Sequence, residues 1–301
     1  MTHQDDHPTD YVIAVDWSAS STKGPRRPSP DRCWLAAGHV DTPAADRPEP
    51  EYFRTRMECE RRIIELAERA ATSSRGVLIG LDFPIGYPLS TESREVLPTG
   101  RRLCSLLGDL VADEPSGANN RFEVAEELNR QIKAQTGRRE APFWGHPVGR
   151  EYADLTFRKT RDTGVHEYRA VERQLRNQRL NIQSAWKLSG AGSVGSQSIL
   201  GLAMVDRILD RFGEVSRLWP FDASESHNSC DPGSVTVAEI WPTLGNEAAV
   251  DHPVKDARQV VAMRDAMLDD KIVRATLAVN CSSEGWIVGV SPTTPSPPAS
   301  A

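Results

Sequence analysis

Apolar residues along this chain follow two spacings, and the places where the spacing changes mark its elements. Short unbroken runs come first: Tyr11-Val-Ile-Ala-Val15 before Asp16, Cys33-Trp-Leu-Ala-Ala-Gly-His-Val40, and Val77-Leu-Ile-Gly-Leu81 before Asp82, with a weaker stretch at residues 51–54. Such runs, rich in β-branched and aliphatic residues and bounded by glycine or proline, read as buried strands. Two more follow at residues 215–219 and 235–240, and a last at 284–290. Residues 57–72 instead place Ile63, Ile64, Leu66, Ala67 and Ala70 at helical spacing among charges, which predicts an amphipathic helix. The same spacing predicts helices over 91–97, 101–111, 121–135, 197–212, 256–268 and 271–279. An order β-β-β-α-β favours a hairpin-built sheet that turns parallel after its first helix. Residues 84–196 read as a mostly helical insertion within one α/β domain spanning 11–290. Residues 1–10 and the Ser/Pro/Thr/Ala stretch at 291–301 read as disordered tails.

Composition narrows the class. With 39% hydrophobic and 26% charged residues over 301 positions, the chain has the make-up of a globular protein with a full core. No run approaches the roughly 18 apolar residues of a membrane span, so no membrane partner is expected. The acidic, polar start lacks the apolar stretch of a secretory signal. Five scattered cysteines include no CxxC pair, which argues against a zinc knuckle or a disulfide framework. A cytoplasmic location is the expectation. The net charge of −6 disfavours a general nucleic-acid coat, which is usually basic. Charge is uneven, however: residues 137–187 hold eleven Lys or Arg against six Asp or Glu. Within that window Arg169, Glu172, Arg173 and Arg176 share one helical face. This reads as a solvated face with internal ion pairs. Phosphate contact is the alternative, favoured by the nearby aromatics Phe143, Trp144, Tyr152 and Phe157.

The acids carry the candidate chemistry. Asp16 and Asp82 each end an apolar run. A charge where a buried strand runs out is costly unless it has a partner or a cation. Asp82 precedes Pro84, so turn chemistry is its plainer explanation; nothing in Asp16-Trp-Ser-Ala requires an acid. Glu239, inside Val235-Thr-Val-Ala-Glu-Ile240, either joins the pair or neutralises a buried arginine. Asp256 opens a helix and also suits an N-cap. Two to four converging carboxylates suffice for magnesium or manganese, hard cations that keep several waters. Such ions activate water and stabilise the leaving oxygen of a phosphodiester.

Gly190-Ala-Gly-Ser-Val-Gly195 matches GxGxxG, which carries weight only between a strand and a helix. A helix follows, but residues 181–189 make a poor strand, so a dinucleotide site is disfavoured. Two readings remain. One is an anion-holding loop in which Lys187, Ser189, Gly190, Gly192, Ser193 and Ser196 contact phosphate. The other is a packing loop where only small residues fit. No HExxH, G-x-S-x-G elbow or P-loop occurs, and Cys33 reads as core.

Several stretches together resemble a known family. They are Val12-Ile-Ala-Val-Asp-Trp-Ser-Ala19, Gly80-Leu-Asp-Phe-Pro-Ile-Gly-Tyr-Pro88, Val237-Ala-Glu-Ile-Trp-Pro-Thr243 and Lys255-Asp-Ala-Arg-Gln-Val260. Asn119-Asn-Arg-Phe-Glu-Val-Ala125, Pro142-Phe-Trp-Gly145, residues 186–197, Trp219-Pro-Phe221 and Glu284-Gly-Trp-Ile-Val-Gly289 extend the likeness over residues 11–290. The family is an uncharacterised one of predicted RNase H-like nucleases. The resemblance implies a mixed five-stranded sheet flanked by helices, with acids on the first and fourth strands. Asp16 and Asp82 match those positions. Glu239 and Asp256 match later ones, with Asp222 a rival acid after Trp219-Pro-Phe. For the glutamate that the RNase H pattern carries on its first helix, Glu58, Glu60 and Glu65 are unaligned candidates. The implied function is metal-dependent hydrolysis of a phosphodiester in a nucleic acid or nucleotide. Asp16, Asp82, Glu239 and Asp256 would surround magnesium or manganese. Two other readings stand beside it: a non-catalytic nucleotide- or anion-binding module, and a hydrolase of a small phosphorylated metabolite, which the acidic net charge suits.

Overall fold

The computed structural model describes residues 10–88, 96–222, 232–268 and 283–292. Strands β1 (Tyr11–Asp16), β2 (Cys33–His39) and β3 (Glu51–Phe53) form an antiparallel meander. Helix α1 (Arg56–Thr72), capped by the Thr55 hydroxyl on the Glu58 amide, then crosses the sheet. It returns the chain so that β4 (Val77–Leu81) lies parallel to β1 on the side away from β2. Helices α2 (Arg101–Leu110), α3 (Arg121–Thr136), α4 (Ala170–Asn177) and α5 (Gly195–Phe212) precede β5 (Ser216–Leu218). Strand β6 (Val235–Glu239) and helix α6 (Lys255–Leu268) follow. The sheet order is β3-β2-β1-β4-β6-β5, with β6 parallel to both β4 and β5. The hairpin-then-parallel order matches the β-β-β-α-β pattern. The five strands implied by the resemblance are exceeded: among the described residues six strands pair in one sheet.

Both sheet faces are covered, which is why the strands read as unbroken apolar runs rather than alternating ones. Successive side chains still point to opposite faces. Ile13, Val15, Leu35, Ile79, Leu81, Val235 and Val237 belong to a core closed by α1, α2, α3 and α5. Val12, Ala14, Trp34, Ala36, Leu78 and Ala238 belong to a second core with α4, α6 and residues 286–290.

The described part of residues 84–196 is less helical than the sequence reading expects. Among its described residues α2, α3 and α4 are helices, while 137–169 and 178–194 are mainly loop, where glycine and proline are dense. Side chains organise that loop: buried Asn129 accepts the Phe143 amide (3.0 Å) and donates to the carbonyls of Phe143 (2.9 Å) and Asp154 (2.8 Å). Residues of α2 and α3 join the first core rather than forming their own. The last predicted strand is reduced to one bridge, Ile287 to Glu239. The predicted helix at 271–279 lies outside the described residues, as does most of 91–97 and of both tails.

Helix α5 seats the segment that follows β4. A Cβ on Gly201 would overlap the ring of Phe83, so only glycine lets that ring lie against the helix. Gly201→Ala is expected to overpack this contact and destabilise by about 1–3 kcal/mol. A denaturant midpoint that falls at constant slope would register it; an unchanged midpoint would show that the ring has room to shift.

Candidate functional site

Two neighbouring strands deliver the central acids. β1 and β4 run parallel with Val15 beside Leu81, and the Asp82 amide continues the ladder to the Val15 carbonyl (3.0 Å). Asp16 and Asp82 therefore leave adjacent strands at the same level. Strand parity places them on one face: Asp16 pairs with Trp34 across β2, and Asp82 follows Leu78 by two full alternations. Trp34 and Leu78 both belong to the second core. The two acids open into a cavity of about 650 Å³, also lined by Asp31, Asp256, residues 17–20, residues 190–194 and Gln197.

Three contacts shape its rim. Asp256, in the first turn of α6, accepts the Asp31 amide (2.8 Å). Buried Arg56, the first residue of α1, donates to the carbonyls of Ser18 (3.2 Å), Ser20 (2.5 Å) and Gly117 (2.9 Å) and pairs with Asp113 (2.6 Å). Gln197 of α5 donates to the Trp17 carbonyl. The loop following Asp16 is thus held from behind and from the side.

The electrostatics are those of crowded, uncompensated anions. Burial, then Asp82, Asp256, Cys33 and Asp31, pushes the Asp16 carboxyl well above its ordinary range. Burial, then Glu239 and Asp256, raises Asp82 to about 7, with Lys255 pulling the other way. Asp256 is also raised, chiefly by burial. Among the described residues neither the Asp16 nor the Asp82 carboxyl has an ion pair or a hydrogen bond. Such a pair either shares protons at neutral pH or takes a cation. Among the described residues no three His, Cys, Asp or Glu side chains come together as a group that could hold a metal ion, so the expected four-acid shell of Asp16, Asp82, Glu239 and Asp256 does not form. Two adjacent carboxylates suit a hard cation that keeps most of its own waters, not one that demands nitrogen or sulfur ligands.

The remaining predicted residues divide. Gly190, Gly192 and Ser193 line the cavity, the two glycines at φ +92° and +69° where other residues would be strained. Lys187 braces this loop, donating to the Ala191 carbonyl (2.6 Å), and neither it nor Ser189 is among the lining residues. Ser196 is buried, donating to the Leu188 carbonyl (2.6 Å) and accepting from Arg121 (2.9 Å). Glu239 is out of phase with Asp82: it pairs in register with Leu81 and shares its face. Both its oxygens meet the Arg169 guanidinium (2.6 and 2.7 Å), the buried-arginine alternative of the sequence reading. Asp222 is held by Arg101 (2.7 Å) and the Leu218 amide (2.8 Å). Glu58, Glu60 and Glu65 pair with Lys23, Arg207 and Arg62. None of these four lines the cavity.

The predicted solvated face on α4 needs correction. Arg169 and Glu172 are wholly buried, since Arg169 bridges Glu172 (2.9 Å) and Glu239 under the sheet edge. Arg173 and Arg176 remain exposed, the latter over the Tyr168 ring. Asp31, Arg32 and Arg56 shape the cavity without a local sequence signal; the Asp31–Asp256 contact joins residues 225 positions apart. No family model, curated protein or solved structure matches this chain.

Proposed function

We propose that this chain is a metal-dependent phosphodiester hydrolase of RNase H-like type, acting on a nucleic acid or nucleotide. One observation carries the reading: Asp16 and Asp82 stand side by side and uncompensated at the carboxyl ends of two adjacent parallel strands, in an open cavity. The position has general support. Beyond β1 the chain builds outward through β2 and β3, then returns to add β4 on the opposite side. In α/β sheets ligands bind outside the strand carboxyl ends at such a switch in direction.

Asp16 and Asp82 would hold magnesium or manganese. The ion, when bound, lowers the pKa of a water and offsets charge on phosphate. Asp256 sits across the same cavity, oriented by the Asp31 amide, where its carboxylate can accept a proton from an attacking water. The Ser193 hydroxyl and the unbranched Gly190 and Gly192 backbone allow close approach by a phosphate. Arg32 supplies positive charge to an otherwise acidic lining.

Cleavage of end-labelled DNA and RNA with magnesium or manganese tests the proposal. Cleavage is expected in wild type and its loss in Asp16→Asn and Asp82→Asn. Activity that survives both substitutions overturns it.

A further inference from the structure

A second cavity adjoins the first and shares Asp82, Val194 and Gln259 with it. Its volume is about 160 Å³, close to the roughly 150 Å³ of a protein cavity that holds one benzene ring. The floor is ionic. Arg169 lies between Glu172 and Glu239, all three side chains at most 4% exposed, so one cation faces two anions. The Glu172 and Glu239 oxygens accept from the Arg169 guanidinium, the Arg169 amide and the Ile85 amide, so the floor is a satisfied but charged surface that suits an occupant with polar edges over a hydrocarbon. The walls add adaptable polar groups. Gln183 donates to Asn181 (3.0 Å), which leaves its carbonyl as an acceptor. The Gln259 side chain has no hydrogen-bond partner among the described residues. Half-buried Trp241 contributes a flat aromatic surface.

We propose that this chamber seats a single-ring nucleobase, a pyrimidine, belonging to the nucleotide whose phosphate lies at Asp16 and Asp82. The assignment rests on the hydrolase reading of those two acids. Size selects one ring over two. The mixed ionic and amide lining selects a ring with donors and acceptors at its edge over a hydrocarbon. The shared Asp82 keeps the ring within one nucleotide's reach of the phosphate.

Calorimetric titration of the wild-type protein in magnesium tests this, using cytidine 5′-monophosphate, adenosine 5′-monophosphate and ribose 5-phosphate, none of which contains a diester. The cytidine ligand is expected to bind about tenfold more tightly than either of the others. Gln183→Ala and Trp241→Ala, whose side chains line only the chamber, are expected to erase most of that preference and leave ribose 5-phosphate binding unchanged. Gln183 is half-buried and its truncation spares the core, so it guards against a folding defect in the tryptophan variant. Equal binding of the two nucleotides, no binding of the cytidine ligand, or a preference untouched by both substitutions overturns the chamber. Metal-dependent cleavage without a pyrimidine preference removes the chamber and spares the hydrolase; a pyrimidine preference without cleavage does the reverse.

Discussion

Arg169→Met is expected to destabilise the protein by about 3–5 kcal/mol, the usual consequence of removing one partner from a buried ion pair. The guanidinium is 0% exposed and holds Glu172 (2.9 Å) and Glu239 (2.6 and 2.7 Å). Without it two carboxylates, each at most 4% exposed, remain without their cation. The damage would spread toward the site. Glu239 also accepts the Ile85 amide (2.9 Å), and the Ala170 amide donates to Glu284 (2.7 Å), so this trio fastens the exit of β4 to α4 and to the chain's last described segment. Equilibrium unfolding measures the effect. Neutralising all three together, as Arg169→Met with Glu172→Gln and Glu239→Gln, is expected to recover much of the loss, because no charge then stays buried alone. A single-variant loss below about 1 kcal/mol would mean that water reaches the trio, contrary to its burial.

Asp82→Asn is expected to stabilise the metal-free protein above pH 7 and to abolish its stabilisation by manganese. The sign follows from the direction of the shift. Asp82 is raised from an ordinary 3.8 to about 7 in the folded state, so folding favours its protonated form. The stability this provides is complete below the unfolded pKa and is lost as pH rises through about 7. Asparagine does not ionise, and at pH 8 the variant should gain on the order of 2 kcal/mol once partial solvent exposure is allowed for, a rise of several degrees in Tm. Metal binding runs the other way. A cation must displace the protons that Asp16 and Asp82 hold, so its affinity should strengthen as pH rises across neutrality, with proton release. Melting at pH 5 and pH 8, with and without manganese, reads both effects. A manganese-induced rise in Tm that persists in Asp16→Asn and in Asp82→Asn would place the ion elsewhere.

Both experiments bear on residues that were unequally legible in the sequence. Asp16 and Asp82 stood out because an apolar run that stops on an acid is rare chemistry for a buried strand. Glu239 stood out as the one acid inside an apolar run, yet its parity already separated it. It falls in phase with Val235 and Val237 and so shares a face with Leu81, not with Asp82. Counting alternation along strands, and not only their ends, would have pointed to the buried arginine. The partner itself, Arg169, was hidden in a segment whose charge spacing looks like a solvated helix, because periodicity describes a helix surface and not what lies against it.

What the sequence determined by itself was local: five apolar runs and one weaker stretch that became strands, and, among the described residues, the helices α1, α2, α3, α5 and α6 where charged and apolar residues repeat at 3.6. The hairpin start and the parallel return through α1 followed as well, since connection length and handedness leave few alternatives. Tertiary structure alone decided the rest. It placed β5 outside β6, brought Asp31 to Asp256 across 225 positions, buried Arg169 between two glutamates, and opened a ring-sized chamber beside Asp82. The physical reason is common to all four. Each depends on which surfaces meet after the chain has collapsed, and side-chain spacing carries no record of a contact between distant segments.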